Sequence, residues 1–269
     1  MRGAKSSLDE SDVDPAAEET CSTTVSVTPE LTELCVTPEV DSRTLIIFDW
    51  DDTILPTSFL AKRGYKLDTP APTGELRAQL DEYARRVNRT LAEAAKRGHV
   101  IVVTNAETGW IQLTVEKFLP LAAGTVHRFQ HISARSMFEP SGVLTPVAWK
   151  ESAFRLVVEE YLEAMGAPSR SRSSGSLRNC QVISLGDSAH EREAVLKVCD
   201  EFRITCKSLK FMERPDLEAL SKQHQLIQEC LDDIVRSKDN LDLCIQTSTP
   251  KTSPETSPEK RKAGGSLEG

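Results

Sequence analysis

The stretch TLIIFDWDDTILPTSF, residues 44–59, decides the fold. Leu45-Ile46-Ile47-Phe48 is an apolar run of strand length, and Asp49, Asp51 and Asp52 crowd onto its end, with Thr53 next. A strand that is apolar at every position, rather than at alternate ones, is buried on both faces, as in a parallel sheet layered between helices. Two further runs of this kind are HVIVVTN (99–105) and CQVISLGD (180–187). FRITCKSL (202–209) reads as the last strand, and a weaker one falls near 126–132.

Helical patterns lie between these runs. Leu76, Leu80, Tyr83, Val87, Leu91 and Ala94 recur at steps of three and four within residues 74–97, and Gly98 stops that helix. Residues 110–119 read as a helix ending before Pro120. Residues 147–165 form another, with Phe154, Val157, Val158, Tyr161, Leu162 and Met165 on one side. A helix starts at about Ala189, and the final one opens with Pro215 and runs on to Ile234. Strands alternating with helices give an α/β class: a Rossmann-like, doubly wound parallel sheet with helices on both faces.

Composition frames this core. Of 269 residues, 39% are hydrophobic, low for a wholly globular chain, so part of it is expected to be disordered. Residues 1–43 are rich in Ser, Thr, Pro and Glu and carry ten acids against Arg2, Lys5 and Arg43, a net of −7 out of −8 for the whole chain. They read as a disordered acidic arm, 246–269 as a disordered Ser/Thr/Pro-rich tail, 167–179 as a flexible loop and 44–245 as the folded domain. Thr-Pro and Ser-Pro steps at 28, 37, 249, 253 and 257 are candidate sites for proline-directed kinases. The near-neutral remainder offers no field for nucleic acid, and no segment is long enough to span a bilayer. Seven cysteines without a Cys-x-x-Cys pair fit reduced thiols in a cytoplasmic or nuclear protein, with KRK at 260–262 a weak import signal.

Asp49, Thr104-Asn105 and Asp187 each end an apolar run, and in open parallel sheets ligands bind beyond the carboxyl ends of the strands. A calcium loop starting at Asp49 would need glycine at its sixth position and glutamate at its twelfth. Ile54 and Leu60 stand there instead. A solvated acidic turn would leave the other strand ends unexplained.

Four motifs in order resemble the haloacid dehalogenase superfamily. They are Asp49, Asp51 and Thr53 in FDWDDT; Thr104 in VIVVTN; Lys150 in TPVAWKESAF; and Gly186-Asp187 in LGDSAHE, with Glu191 in place of the usual second aspartate. The resemblance covers residues 44–211 and implies a Mg²⁺-dependent phosphatase. Asp49 would be the nucleophile, forming an aspartyl-phosphate. Asp51 would be the general acid and base, with Asp49 ionised while Asp51 is protonated. Metal ligands would be the Asp49 and Asp187 side chains, the Asp51 backbone carbonyl, and Glu191 through water. Lys150, at the start of a helix, would offer a point charge. Thr104 and the Asn105 N–H would hold phosphoryl oxygens, with Thr53 and Trp50 at the phosphate and the edge of the site. Asp52 is expected to face outward, and His190 to lie on a helix surface.

In this superfamily a cap domain, where present, follows the first or second motif. Residues 54–98 and 105–149 are too short for a large one. An open site, flanked by Lys62, Arg63 and Lys66 on a flap at 55–73, suits a phosphoprotein or other macromolecular phosphate. The alternatives are a small-metabolite phosphatase and a catalytically silent scaffold that displays the two tails.

Overall fold

The computed structural model describes residues 43–166 and 180–245. The expected arm (save Arg43), the loop at 167–179 and the tail from 246 lie outside those residues. In chain order the elements are β1 (Thr44–Phe48), α1 (Thr57–Lys62), α2 (Gly74–Ala95), β2 (His99–Thr104), α3 (Trp110–Phe118) and α4 (Pro120–Val126). Then come β3 (Gln130–Ser133), α5 (Ala134–Phe138), α6 (Pro146–Ala164), β4 (Gln181–Gly186) and α7 (Ala189–Phe202). The series closes with β5 (Thr205–Lys210), α8 (Leu217–Arg236) and β6 (Leu241–Cys244). The strands form one sheet in the order β3-β2-β1-β4-β5-β6, and every pairing is parallel. This is the doubly wound α/β architecture the apolar runs imply. The chain winds outward from β1 through β2 to β3, then returns to β1's other side to begin β4. The winding therefore reverses between β1 and β4, where such sheets bind ligands.

The strand periodicity sorts β1 between two apolar layers. Ile46 and Phe48 pack with Leu80, Val87, Leu91 and Ile227 from α2 and α8. Leu45 and Ile47 pack with Phe154, Val157, Val195 and Val198 from α6 and α7. All five β1 residues are buried, which is why the run shows no polar alternation. Only α1 and α2 separate β1 from β2, and among the described residues between β2 and β4 the chain forms only α3, α4, β3, α5, a short 3-10 turn and α6.

Several boundaries differ from expectation. The strand read near 126–132 begins only at Gln130, because Pro120 opens α4 as well as ending α3; proline at a first helical position gives up an N–H that would be unpaired anyway. Phe202 belongs to α7 rather than to a strand, and Arg203, with φ 56°, turns the chain into β5. β5 is not the last strand: β6 follows α8 at the sheet edge, and its mostly exposed Leu-Asp-Leu-Cys carries no apolar run. The flap contains the short helix α1. Pro215 precedes α8, whose N-cap is Asp216, accepting from Ala219 N–H at 2.7 Å. Gly98 lies two residues past the α2 cap, Lys96. A side chain at Gly98 would run into the Thr44 carbonyl, so close backbone approach to β1 explains this glycine.

Candidate active site

Asp49, Thr104 and Asp187 meet at the carboxyl edge of β2, β1 and β4. The Asp49 N–H donates to Leu185 O at 2.8 Å, carrying the β1–β4 pairing one residue past the strand and pinning its carboxylate at the reversal point. Lys150 Nζ lies 2.5 Å from Asp49 Oδ1, 3.0 Å from Glu191 Oε1 and 2.6 Å from the Val103 carbonyl. The ammonium thus bridges three elements from a position 1% exposed. It reaches them from the second turn of α6, not the first: Thr145 caps that helix and Pro146 is its first residue. Burial disfavours the charge, but Asp49 and Glu191 outweigh it and hold Lys150 protonated. The hydrogen bond and ion pair to Asp49 both fall on Oδ1, and no hydrogen bond among the described residues reaches Oδ2.

Asp51 sits in a nest of side-chain donors. Thr57 Oγ1 donates to its Oδ1 at 2.6 Å, Trp110 Nε1 to the same oxygen at 3.0 Å, and Thr104 Oγ1 to Oδ2 at 3.2 Å. Burial raises this carboxyl above the usual range, and the three hydrogen bonds pull it partly back. Thr57 and Trp110 are first residues of α1 and α3, which places both at the mouth of the sheet edge. Neither was expected from the sequence; the only signal was their place at the start of a helix beside a motif.

The third wall is the β4–α7 junction. Ser188 and Glu191 form a capping box, with Ser188 N–H donating to Glu191 Oε2 at 3.1 Å and Ser188 Oγ to the same oxygen at 2.5 Å. Glu191 Oε1 faces Lys150. The glutamate therefore starts α7 and also turns its second oxygen into the site. Gly186 makes this possible, since any side chain there would collide with Glu191 Cβ and Cγ. Burial acts to raise Glu191, but Lys150 and Ser188 outweigh it and hold it below the usual range. Burial, with Glu191 and Asp52 nearby, lifts Asp187 to about 7. Burial also pushes Asp49 up; Lys150 opposes this, while Glu191, Asp51 and Asp187 add to it.

Oxygen atoms of Asp49, Asp187 and Glu191 lie within 4.8 Å of one another. All of the donors are carboxylate oxygens, which suits a hard divalent cation such as Mg²⁺. Four carboxylates share this space, and Lys150 is the one cation in ion-pair contact with them among the described residues. Asp49 and Glu191 are buried and Asp51 and Asp187 half-buried, so the acids outnumber the cation that offsets them.

Other expected positions need correction. Trp50 is not at the edge of the site: its side chain is fully buried in the core, and Nε1 donates to Thr114 Oγ1 at 3.0 Å. The alternation after Phe48 sends residue 50 to the helix side. Asp52 does not face outward. It is buried with φ 53°, accepts from Ser58 N–H at 2.8 Å and is bonded to the Ser58 hydroxyl, so it ties the motif loop to α1. The Thr53 hydroxyl is buried without a partner, while its carbonyl accepts from His224 Nε2 at 2.8 Å. Thr104 also accepts from Ala106 N–H at 3.0 Å, and Asn105 Nδ2 is occupied by the Pro146 carbonyl at 3.2 Å. His190 is half-buried on α7. The motif loop is further held from below by Tyr83, whose hydroxyl donates to Ile54 O at 2.7 Å. Comparison of the chain with protein-family models, with curated proteins and with solved structures finds no match.

Proposed function

We propose that this protein is a Mg²⁺-dependent phosphomonoester hydrolase working through an aspartyl-phosphate on Asp49. The observation that carries the reading is the buried Lys150 held between Asp49 and Glu191, beside an Asp51 oriented by three donors. The order and spacing of these residues also resemble the four motifs of the haloacid dehalogenase superfamily. Asp49, Asp187 and Glu191 would hold the metal, with the Asp51 carbonyl beside them. A bound Mg²⁺ supplies charge neutralisation that lets a carboxylate approach an anionic phosphoryl group.

The chain's own groups account for the rest. Asp49 Oδ2 attacks phosphorus and the ester P–O bond breaks, with Asp51 giving its proton to the leaving oxygen. Water then attacks the phospho-aspartate, returns a proton to Asp51 and releases phosphate and free Asp49. Lys150 fixes Oδ1 and balances charge on the nucleophile throughout. The Thr104 hydroxyl gives its one proton to Asp51 and so holds that carboxyl; the Asn105 side chain, being occupied, leaves its backbone N–H for the phosphoryl oxygens. Trp50 takes no part through its side chain.

A sheet edge that carries no capping domain among the described residues and the exposed Lys62, Arg63 and Lys66 favour a large phosphoester, which can gain affinity outside the site. A small metabolite would have to draw its affinity from the site itself. Hydrolysis of a generic aryl phosphate, lost on chelation and restored by Mg²⁺, tests the activity and separates it from a silent scaffold. A panel of phosphopeptides and sugar phosphates tests the class. Some phosphopeptide is expected to exceed every sugar phosphate in kcat/KM by at least about tenfold; a metabolite ranking first would overturn the macromolecular assignment.

A further inference from the structure

Away from the sheet's carboxyl edge, the α7–β5 turn brings two thiols together. Cys199 lies in the last turn of α7 and Cys206 is the second residue of β5. Arg203, in the left-handed region at φ 56°, reverses the chain between them; its N–H donates to Asp200 O at 3.2 Å and that of Ile204 to Cys199 O at 3.1 Å. Cys206 is fixed from both sides, paired with Val182 of β4 and with its N–H donating to Asn240 Oδ1 at 2.9 Å. Both residues are almost fully buried, yet both line a cleft of about 660 Å³ whose rim includes Arg203, Lys238 and Asn240.

We propose that Cys199 and Cys206 form an oxidisable dithiol, a modification site at which a peroxide entering this cleft joins the two sulfurs as a disulfide. A lone buried thiol behaves as a small hydrophobe, whereas these two line one cleft on either side of a single turn and act on each other. Its neighbour Cys199 holds Cys206 below the ordinary thiol range, against burial and Asp242, while Cys199 is itself pushed up by Cys206 and by burial. Cys206 is therefore the sulfur poised to attack. Its thiolate takes one peroxide oxygen to give a sulfenic acid, and the other oxygen leaves as water after taking up a proton. The Cys199 sulfur then displaces the hydroxyl as a second water and closes the S–S bond. In sum, two thiols and one hydrogen peroxide give one disulfide and two waters. Cys244, exposed, and Cys230, half-buried, provide internal controls without such an arrangement.

The phosphoryl site takes no part in this chemistry, so the test does not depend on its activity. The full-length folded protein is treated with a small excess of hydrogen peroxide, quenched with N-ethylmaleimide, denatured and digested with trypsin without reduction. Cleavage after Lys197, Arg203 and Lys207 puts the two cysteines on the separate peptides VCDEFR and ITCK. The expected product is these peptides joined, short of two hydrogens, lost on reduction and absent from Cys199→Ala and Cys206→Ala. Both thiols alkylated in the wild type, separate sulfinic acids on them, or Cys206 joined to Cys180 instead would each overturn the proposal. The wild-type map decides it even if a variant fails to fold.

Discussion

Replacing His224 by glutamine is expected to change how stability depends on pH as well as how large it is. His224 is wholly buried on α8, with Nε2 2.8 Å from Thr53 O and Nδ1 3.1 Å from Thr90 Oγ1, and lies edge-on to Tyr83 and Phe211. Since a carbonyl only accepts, Nε2 carries the proton and the ring props up the motif loop in its neutral form. Burial lowers its pKa from 6.5 to about 4. Between those values the unfolded chain binds the proton and the folded one does not, so falling pH favours unfolding. The stabilisation present above 6.5 is lost as pH drops toward 4, a total of about 3 kcal/mol, of which roughly 2.5 kcal/mol falls between about pH 7.5 and 4.5. Urea denaturation of both proteins at those two pH values isolates this term, because other titrating groups contribute to both. The His224→Gln protein is expected to be about 1–3 kcal/mol less stable at the higher pH, from its imperfect hydrogen bonds, and to lose roughly 2.5 kcal/mol less than wild type on acidification. Parallel losses in the two proteins would refute the buried neutral imidazole.

Trp110→Phe removes one donor from Asp51 and is expected to lower kcat/KM about tenfold with little change in Tm; unchanged turnover would show that the contact does not orient the acid. Asp51→Asn is expected to slow alkyl phosphates far more than aryl phosphates, which leave without a proton. Equal losses on both would remove Asp51 from the acid role. Gly186→Ala drives a methyl group into Glu191 and is expected to cost about 1–3 kcal/mol in thermal or urea unfolding, whereas wild-type stability would contradict the close approach.

The fold was legible where physics leaves strong period or composition signals. β1, β2 and β4 are buried on both faces and so appear as largely apolar runs, and α2 and α8 place their buried residues at helical spacing. β6 left no such trace, because an edge strand of four residues with three exposed needs no apolar run. At the site, the strand ends marked Asp49, Thr104 and Asp187, and Lys150 proved to be buried between two carboxylates. Trp50 was misplaced because an aromatic residue inside an acidic motif looks like part of the site, whereas strand alternation delivers it to the core. Asp52 was misread because its partner, Ser58, lies on α1, a helix too short to show a period. The Ser188-x-x-Glu191 spacing was a readable capping box, and it explains why the Glu191 side chain is held at the head of α7 beside Lys150. Thr57 and Trp110 act through tertiary contact alone, which no local pattern encodes.

The proposed hydrolysis requires phosphoryl groups to pass through Asp49. The most direct measurement is a rapid acid quench of the protein turning over a phosphoester carrying labelled phosphorus with Mg²⁺, followed by peptide mapping. Label is expected on the peptide containing Asp49, removable by hydroxylamine and absent from Asp49→Asn, which is also expected to lose turnover. A hydrolytically active wild type with no label on Asp49, together with an Asp49→Asn variant within about tenfold of its rate, would contradict the account.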